Sequence, residues 1–221
     1  VSRGMSNIMA SGYLVREWYD QPAEGRATLD EYLREQGIVG LCAIDTRRLT
    51  RMLLDGGYKK AAITNRLENK EKLLEQMKEY SIHGAVWAVT TKQPQQFQAE
   101  QERFRVAMLD YGCNRTSVPA LNRRGVSVTL YPAGSTAEQV LAGRPHGIYL
   151  SDGPGDPDDD ANIIRVIQEL TRCGLPLFGV GLGHQMLALA CSMKCVKMEH
   201  AHRGANQPVR RLSDGRLMTT N

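Results

Sequence analysis

Residues 176–190, PLFGVGLGHQMLALA, carry three glycines at alternate positions between an apolar run and an apolar helical pattern. This order predicts a buried strand, a sharp turn and a helix. In a turn of the type G-x-nucleophile-x-G, the outer glycines, here Gly179 and Gly183, are required because a Cβ would collide with the closely approaching segments. Gly181 stands where the nucleophile belongs. Close strand–helix packing or a phosphate cradle would use the same spacing, and the pattern alone leaves both open.

Around this turn the second half of the chain alternates strands with helices on short connections. The predicted strands are 105–112, 126–133, 147–150, 175–181 and 195–198, and the predicted helices are 114–125, 136–143, 158–174 and 184–190. Such alternation predicts an α/β fold with a doubly wound, mostly parallel sheet. Ligands of these sheets bind beyond the C-terminal ends of the strands. A second glycine turn, 153–155, also lies there, and it is either part of an oxyanion site or a rigid Pro-Gly turn.

The first ninety residues contain shorter elements. Helices are predicted at 28–38, 47–57 and 69–80, and strands at 39–46 and 61–64. The Gln-rich stretch 91–104 is interrupted by Pro94 and is predicted to be a linker. It divides the chain into a domain of residues 1–95 and a domain of residues 104–221. A surface loop inside a single domain is the alternative.

Charge and cysteine content exclude several classes of protein. The net charge of +4 is mild, and 3 Phe and 2 Trp give few stacking platforms, so we expect no nucleic-acid partner. No apolar run approaches the roughly 20 residues that span a bilayer, so we expect no membrane partner. The five cysteines form no C-x-x-C pair and predict buried thiols in a reducing, cytoplasmic compartment. We expect no metal site, although His200 and His202 have a spacing that a metal on a strand could use.

Several longer motifs carry a resemblance to a known family. They are LSDGPGDP at 150–157, FGVGLGHQMLALA at 178–190 and KMEHAHRGANQPV at 197–209, together with GYLVREWYDQP, LDEYLREQGIVG and AIDTRRLTR nearer the start. From about Gly12 to the last residue, the chain resembles the small subunit of glutamine-dependent carbamoyl-phosphate synthase, a class I glutamine amidotransferase. The resemblance implies a partial small-subunit N-terminal domain in residues 1–95 and a partial amidotransferase domain in residues 104–221.

The resemblance also implies an activity and a partner. The family hydrolyses glutamine at a cysteine through a γ-glutamyl thioester, with a histidine as base and a glutamate that orients it. The ammonia passes to a large synthetase subunit, which uses ATP, Mg and bicarbonate to make carbamoyl phosphate for arginine and pyrimidine biosynthesis. We therefore expect a heterodimer with that large subunit, glutamine as the small-molecule ligand, and no cofactor in this subunit itself.

Five positions of this sequence take up roles from the family by resemblance. Gly153 and Gly155 would line the glutamine site, Leu182 would supply an oxyanion N–H, and Gln185 would contact the substrate. Gly181 occupies the position of the nucleophile. The family has cysteine there, so the chain is predicted to lack glutaminase activity.

Other departures from the family also bear on function. Asn114–Ser117 replaces the family's Lys-Arg-Asn-Ile, and Pro119 is expected to disturb the helix that follows. We expect the family's Asn-His-Gly and His-x-Glu motifs beyond Asn221, and a glutamine-contacting serine before Val1. Among the cysteines, only Cys113 is a loosely plausible replacement nucleophile.

Two further hypotheses remain open at this point. The chain is alternatively a non-catalytic paralogue that keeps the fold as a scaffold or regulatory partner. A nucleotide-binding module is the weakest alternative, because residues 153–157 lack the Lys-Ser/Thr of a P-loop.

Overall fold

The computed structural model describes residues 10–19, 21, 27–57, 59–114, 116–198 and 206–220 of the chain. Their contacts divide the chain into two units, one of residues 1–80 and 197–221 and the other of residues 81–196. The predicted linker at 91–104 lies inside the second unit, and the boundary between units falls earlier, between Tyr80 and Ser81.

The first unit is built from short elements. They are β1 (Gly12–Leu14), α1 (Leu29–Glu35), β2 (Val39–Leu41), α2 (Thr46–Gly56) and α3 (Lys70–Glu79), and β1 pairs with β2 in parallel. The predicted capping box begins α1: the Thr28 side chain accepts the Glu31 N–H, and the Glu31 carboxylate accepts the Thr28 N–H at 2.8 Å. Asp45 caps α2 by accepting the N–H of Arg48 at 2.9 Å.

Two expectations for this unit are wrong. The predicted strand at 61–64 is irregular and exposed, because no strand in the described part of the chain lies beside it to accept its backbone hydrogen bonds. The helical spacing of the apolar residues Met52 and Leu53 in α2 predicts a face that packs on a core, yet Met52 is 51% exposed and Leu53 is 42% exposed. The helical period is present, but the described residues supply no second layer to cover that face.

The second unit contains the alternating strands and helices. Its elements are α4 (Ala85–Val89), β3 (Gln95–Phe97), β4 (Phe104–Asp110), α5 (Ser117–Asn122), β5 (Val126–Pro132), α6 (Ala137–Ala142), β6 (Gly147–Leu150), α7 (Ala161–Thr171), β7 (Leu177–Gly179) and α8 (Leu182–Ala190). The strands form one sheet in the order β3-β5-β4-β6-β7, in which only β3 runs antiparallel. The predicted α/β fold with a mostly parallel sheet is confirmed.

Both faces of this sheet are covered, as a doubly wound fold requires. On one face Leu109 and Leu150 pack with buried residues of α6, α7 and α8, among them Ile167. On the other face Met108 packs with Val118 of α5. Because neighbouring residues of a strand point to opposite faces, Met108 and Leu109 enter different clusters.

The predicted linker includes an edge strand of this sheet. Phe97 of β3 pairs with Val128 of β5, and the buried Ala99 donates its N–H to the Ser127 hydroxyl at 3.1 Å. Edge strands carry polar residues and tolerate nearby proline, so their composition is similar to that of a linker. The prediction of a linker is therefore wrong for Gln95–Phe97, which form a strand of the sheet.

Two further details of the second unit differ from expectation. Pro119 is the third residue of α5, within the first turn, where backbone N–H groups have no acceptor in the helix, so the proline removes no helical hydrogen bond. The predicted strand at 195–198 is irregular, and the Cys195 thiol instead contacts the Gln185 carbonyl at 3.5 Å.

The last described residues form an antiparallel hairpin of β8 (Gln207–Arg210) and β9 (Leu217–Thr220). Arg211 and Asp214 form an ion pair in the turn of the hairpin. The side chain of Arg211 is therefore partnered rather than only solvated. No helix in the described ranges is both long and apolar enough to cross a membrane.

Candidate functional site

The turn between β7 and α8 has the geometry of a nucleophile elbow. Gly181 lies between the two elements with φ +52° and ψ −117°, a conformation that L side chains rarely adopt and that is found at strained functional turns. The Val180 N–H donates to the Leu150 carbonyl at 3.0 Å. This hydrogen bond fixes the start of the turn to the end of β6.

The three glycines of this turn have different reasons to be there. A Cβ on Gly179 would lie 2.7 Å from the Gly183 carbonyl oxygen, and a Cβ on Gly183 would lie 2.4 Å from the Leu150 carbonyl oxygen. Backbone cannot move away cheaply, so both outer positions require glycine. Among the described residues beyond its chain neighbours, a Cβ on Gly181 meets only Asp152, at 3.1 Å from its Cβ, which a shift of a few tenths of an ångström would relieve. The middle position is therefore the one that has room for a side chain.

The second glycine turn lies directly beside the first. Strands β6 and β7 pair with Leu150 opposite Gly179, so Asp152 and Gly181 follow the two strand ends at equal distance along the chain. A Cβ on Gly153 would lie 2.1 Å from the Tyr111 carbonyl oxygen, so this backbone also requires glycine. Gly155 has φ +101° and is exposed. The predicted positions 153 and 181 thus lie side by side at the C-terminal edge of the sheet.

Leu182 and Gln185 lie on the first turn of α8. Leu182 is buried, and among the residues that the structure describes neither its N–H nor that of Gly153 has a hydrogen-bond acceptor. Free backbone N–H groups at the positive end of a helix are suited to stabilising an oxyanion. Gln185 is exposed, and its own N–H donates to the Gly181 carbonyl at 3.1 Å.

Two buried polar side chains that the sequence reasoning missed hold these loops. The Asp110 carboxylate accepts the N–H groups of Thr91, Gly112 and Cys113 at 2.8, 3.0 and 2.9 Å. The Ser151 hydroxyl accepts the Tyr111 N–H at 2.9 Å and donates to the Asp152 carbonyl at 2.7 Å. A polar residue that closes an apolar strand was the available signal for both.

Asp152 was missed as well. Its half-buried side chain accepts the Asn114 N–H over a long 3.4 Å, and it is the residue closest to a side chain at position 181. Burial chiefly, and then the charges of Asp152 and Cys113, raise the pKa of Tyr149 on the adjacent strand. The site therefore contains a carboxylate that the glycine pattern did not reveal.

The remaining candidate residues are cysteines and histidines. Cys113 is half-buried in the cluster on the α5 face, and His184, which directly follows Gly183, is exposed. The expectation of buried thiols is wrong for Cys42 and Cys191, which are exposed because neither is covered by a second layer of the described fold. His200, His202 and Arg203 lie outside the described residues.

No three His, Cys, Asp or Glu side chains come together to hold a metal ion within the described ranges. The arrangement at residue 181 is thus one of backbone donors, glycines and a carboxylate.

Comparison with known protein families finds two matches. The model for the class I glutamine amidotransferases matches residues 107–220. The model for the CPSase domain of the carbamoyl-phosphate synthase small chain matches residues 2–63.

Curated relatives are named as small chains of carbamoyl phosphate synthase. The carbamoyl phosphate synthase small chain of Listeria monocytogenes is 39% identical over 96% of this chain and 58% of its own length. The corresponding chain of Xanthomonas campestris is 37% identical, over 96% and 61%. The pyrimidine-specific small chain of Bacillus subtilis is 37% identical, over 95% and 57%. The chain thus spans about six tenths of the length of these relatives.

One solved structure is also similar in part. A Thermoplasma acidophilum protein described as a GMP synthase component matches 50% of this chain and 56% of its own with a TM-score of 0.44 and 22% identity.

Proposed function

Since the chain belongs to the class I glutamine amidotransferase family, and its first part matches the small-chain domain of carbamoyl-phosphate synthase, we propose that it acts as a glutamine-binding small subunit of that enzyme. Its relatives are named small chains, which implies a large chain as partner. The role in arginine and pyrimidine biosynthesis, the use of ATP and Mg by the large chain, and the cytoplasmic location belong to the same proposal.

The glutamine site is the C-terminal edge of the sheet at the two glycine turns. The backbone of Gly153 and Gly155 approaches a bound side-chain amide, and the N–H groups of Gly153 and Leu182 face its carbonyl oxygen. Gln185, one turn along α8, contacts the amino-acid end. The free N–H groups and the steric need for glycine at 153 support this assignment.

Gly181 is the observation that carries the catalytic part of the proposal. Its backbone has the elbow conformation, its neighbours Gly179 and Gly183 are sterically required, and it bears no atom that could attack an amide. Loss of a nucleophile of this type lowers the rate by about a million-fold. The chain accordingly binds glutamine without releasing ammonia from it, and the complex uses free ammonia.

Calorimetry with glutamine and gel filtration with a bacterial carbamoyl phosphate synthase large chain test the binding roles. We expect saturable glutamine binding that Gln185→Ala weakens, and a stable complex that makes carbamoyl phosphate from ammonia but not from glutamine. Ammonia release from glutamine by the unaltered chain would contradict the inactive assignment. If no complex with the large chain forms, the alternative is favoured in which this chain is a non-catalytic scaffold for another partner.

The position of the nucleophile is tested with Gly181→Cys. We expect this variant to become covalently labelled at residue 181 by the glutamine analogue 6-diazo-5-oxo-L-norleucine at an alkaline pH of about 9, where a thiol ionises. Peptide mass spectrometry follows the labelling. Gly181→Ala is the matched control, because alanine at position 181 must adopt the same positive φ as cysteine but carries no sulfur. Labelling at Cys113 in both variants, with none at residue 181, would move the nucleophile position away from the elbow.

A further inference from the structure

Asp152 lies against the position of the missing nucleophile. A Cβ on Gly181 would be 3.1 Å from the Asp152 Cβ and 3.6 Å from its Cα, and apart from the chain neighbours of Gly181 no other described residue comes within 4 Å of it. We propose that Asp152 is a positioning residue of the elbow, whose carboxylate decides whether a thiol at position 181 ionises and, in this chain, opposes that ionisation. The proposal rests on the proposed function, which makes residue 181 the nucleophile position.

The distance brings the two groups into electrostatic range. The Cβ of a cysteine at position 181 would be in contact with the Cβ of Asp152. The sulfur is bonded to the first of these carbons, and the carboxylate is bonded to the second. Their charges therefore come within the roughly 4–6 Å over which a like charge shifts an ionisation by one to three pH units. A thiolate and a carboxylate at this separation repel each other.

Helix α8 acts in the opposite direction, and the two effects can be ranked. The helix begins at Leu182 and directs its positive end at the turn, which favours a thiolate. That end is equivalent to roughly half an elementary charge, whereas an ionised carboxylate carries a full one. The carboxylate therefore carries the larger charge, and its own Cβ would lie in contact with the Cβ of residue 181. The net effect of the surroundings disfavours the thiolate.

Little in the described surroundings neutralises the Asp152 carboxylate. It accepts one long hydrogen bond, from the Asn114 N–H at 3.4 Å, and it forms no ion pair with any residue that the structure describes. Tyr149 on β6 is its electrostatic neighbour, and burial together with the charge of Asp152 raises the pKa of that hydroxyl. His184 lies exposed on α8, and the Asp110 carboxylate is occupied by three backbone N–H groups.

The consequence is that cysteine at position 181 alone does not reproduce a nucleophile that is reactive at neutral pH. The thiolate, not the thiol, is the attacking species, so a carboxylate that suppresses ionisation also suppresses attack. Asparagine at 152 keeps the shape and removes the charge. Gly181 and Asp152 thus form a coupled pair, and both positions must change before the elbow can present a thiolate at neutral pH.

The test compares Gly181→Cys with Gly181→Cys/Asp152→Asn in the whole chain. The rate of iodoacetamide alkylation at residue 181 is followed from pH 5 to pH 10 by peptide mass spectrometry, which separates this cysteine from the others. We expect the midpoint to fall by at least one pH unit in the double variant, with about tenfold faster alkylation at pH 7. Gly181→Cys/Asp158→Asn is the matched control, because Asp158 is an exposed carboxylate of the same loop, and its midpoint should equal that of Gly181→Cys.

Equal midpoints for Gly181→Cys and Gly181→Cys/Asp152→Asn would overturn the proposal. The pair Gly181→Cys/Asp152→Glu and Gly181→Cys/Asp152→Gln makes the same comparison of charge with a more flexible side chain, and circular dichroism verifies that each variant is folded. Equal midpoints in that pair would overturn it too. The alkylation rate is measured without glutamine and without a large chain. Failure of glutamine binding would therefore refute the proposed function, but it would not change the alkylation midpoints that test the role of Asp152.

Discussion

The Gly183 N–H donates to the Ser151 carbonyl at 3.0 Å, and this hydrogen bond ties the first turn of α8 to the end of β6. Ser151 precedes Asp152 and Gly153, while Gly183 follows Gly181 and Leu182. One backbone contact therefore fixes the two glycine turns relative to each other. The stability of the site depends on the close approach that makes this contact possible.

Gly183→Ala tests that approach. Alanine would normally stabilise a helical position by about 1 kcal/mol relative to glycine. Here its Cβ would lie 2.4 Å from the Leu150 carbonyl oxygen, so we expect a net loss of about 1–3 kcal/mol in the free energy of unfolding, measured with urea. Gly174→Ala is the control, since a Cβ there meets nothing within 4 Å and only the positive φ is strained. A variant at 183 as stable as the unaltered chain would refute the steric argument.

Ser151→Ala removes the hydroxyl that connects the loops after β4 and β6. The buried Tyr111 N–H would lose its acceptor, which costs about 1–3 kcal/mol of unfolding free energy. Thermal and urea unfolding measure the loss. Ser81→Ala, at an exposed position, should change the stability by less than about 0.5 kcal/mol. Equal effects of the two substitutions would mean that the Ser151 hydroxyl does not support the site.

Tyr111→Phe is expected to stabilise the chain at neutral pH. The Tyr111 hydroxyl is buried and has no hydrogen-bond partner among the described residues. Burying an unpaired polar group is unfavourable, so its removal should raise the unfolding free energy by about 1 kcal/mol. Tyr80→Phe, on an exposed ring, is the control and should have little effect. A marked loss of stability in Tyr111→Phe would reveal a partner for the hydroxyl.

The same substitution should change the response to alkaline pH. Burial raises the pKa of Tyr111, so the folded chain keeps a proton that the unfolded chain releases near pH 10. The stability linked to this proton is fully present below pH 10 and is lost as the pH rises above it. Each such tyrosine adds a slope of up to about 1.4 kcal/mol per pH unit. Urea unfolding between pH 9 and pH 11 should show a shallower decline for Tyr111→Phe, and an unchanged decline would contradict the buried assignment.

The local features of the second unit could be predicted from the sequence. Apolar runs separated by glycines indicated the four parallel strands, and the capping residue Thr136 begins α6 as its hydroxyl accepts the Gln139 N–H. The glycines 179 and 183 were predicted from sterics, and both would clash if they carried a Cβ. The strands and the helix cap were predictable because each depends on atoms only a few residues apart along the chain, whereas the residue that crowds Gly183 is Leu150 on β6.

Other features depended on contacts that no local pattern contains. Gln95–Phe97 became an edge strand only because β5 supplies its hydrogen-bond partners. Pro119 was harmless because of where α5 begins, and α2 stayed exposed because no second layer of the described residues covers it. Composition and periodicity describe a segment, but they do not say what lies beside it.

The sequence by itself determined that residues 176–190 form a strand, a turn and a helix. It also determined that the middle residue of the turn, Gly181, has no side chain. Only the tertiary structure decided that Asp152 stands next to that position. The reason is the pairing of β6 with β7, in which Leu150 lies opposite Gly179. Strand register is set by hydrogen bonds and packing across the sheet, so two residues far apart in the chain become neighbours through contacts that neither segment specifies alone.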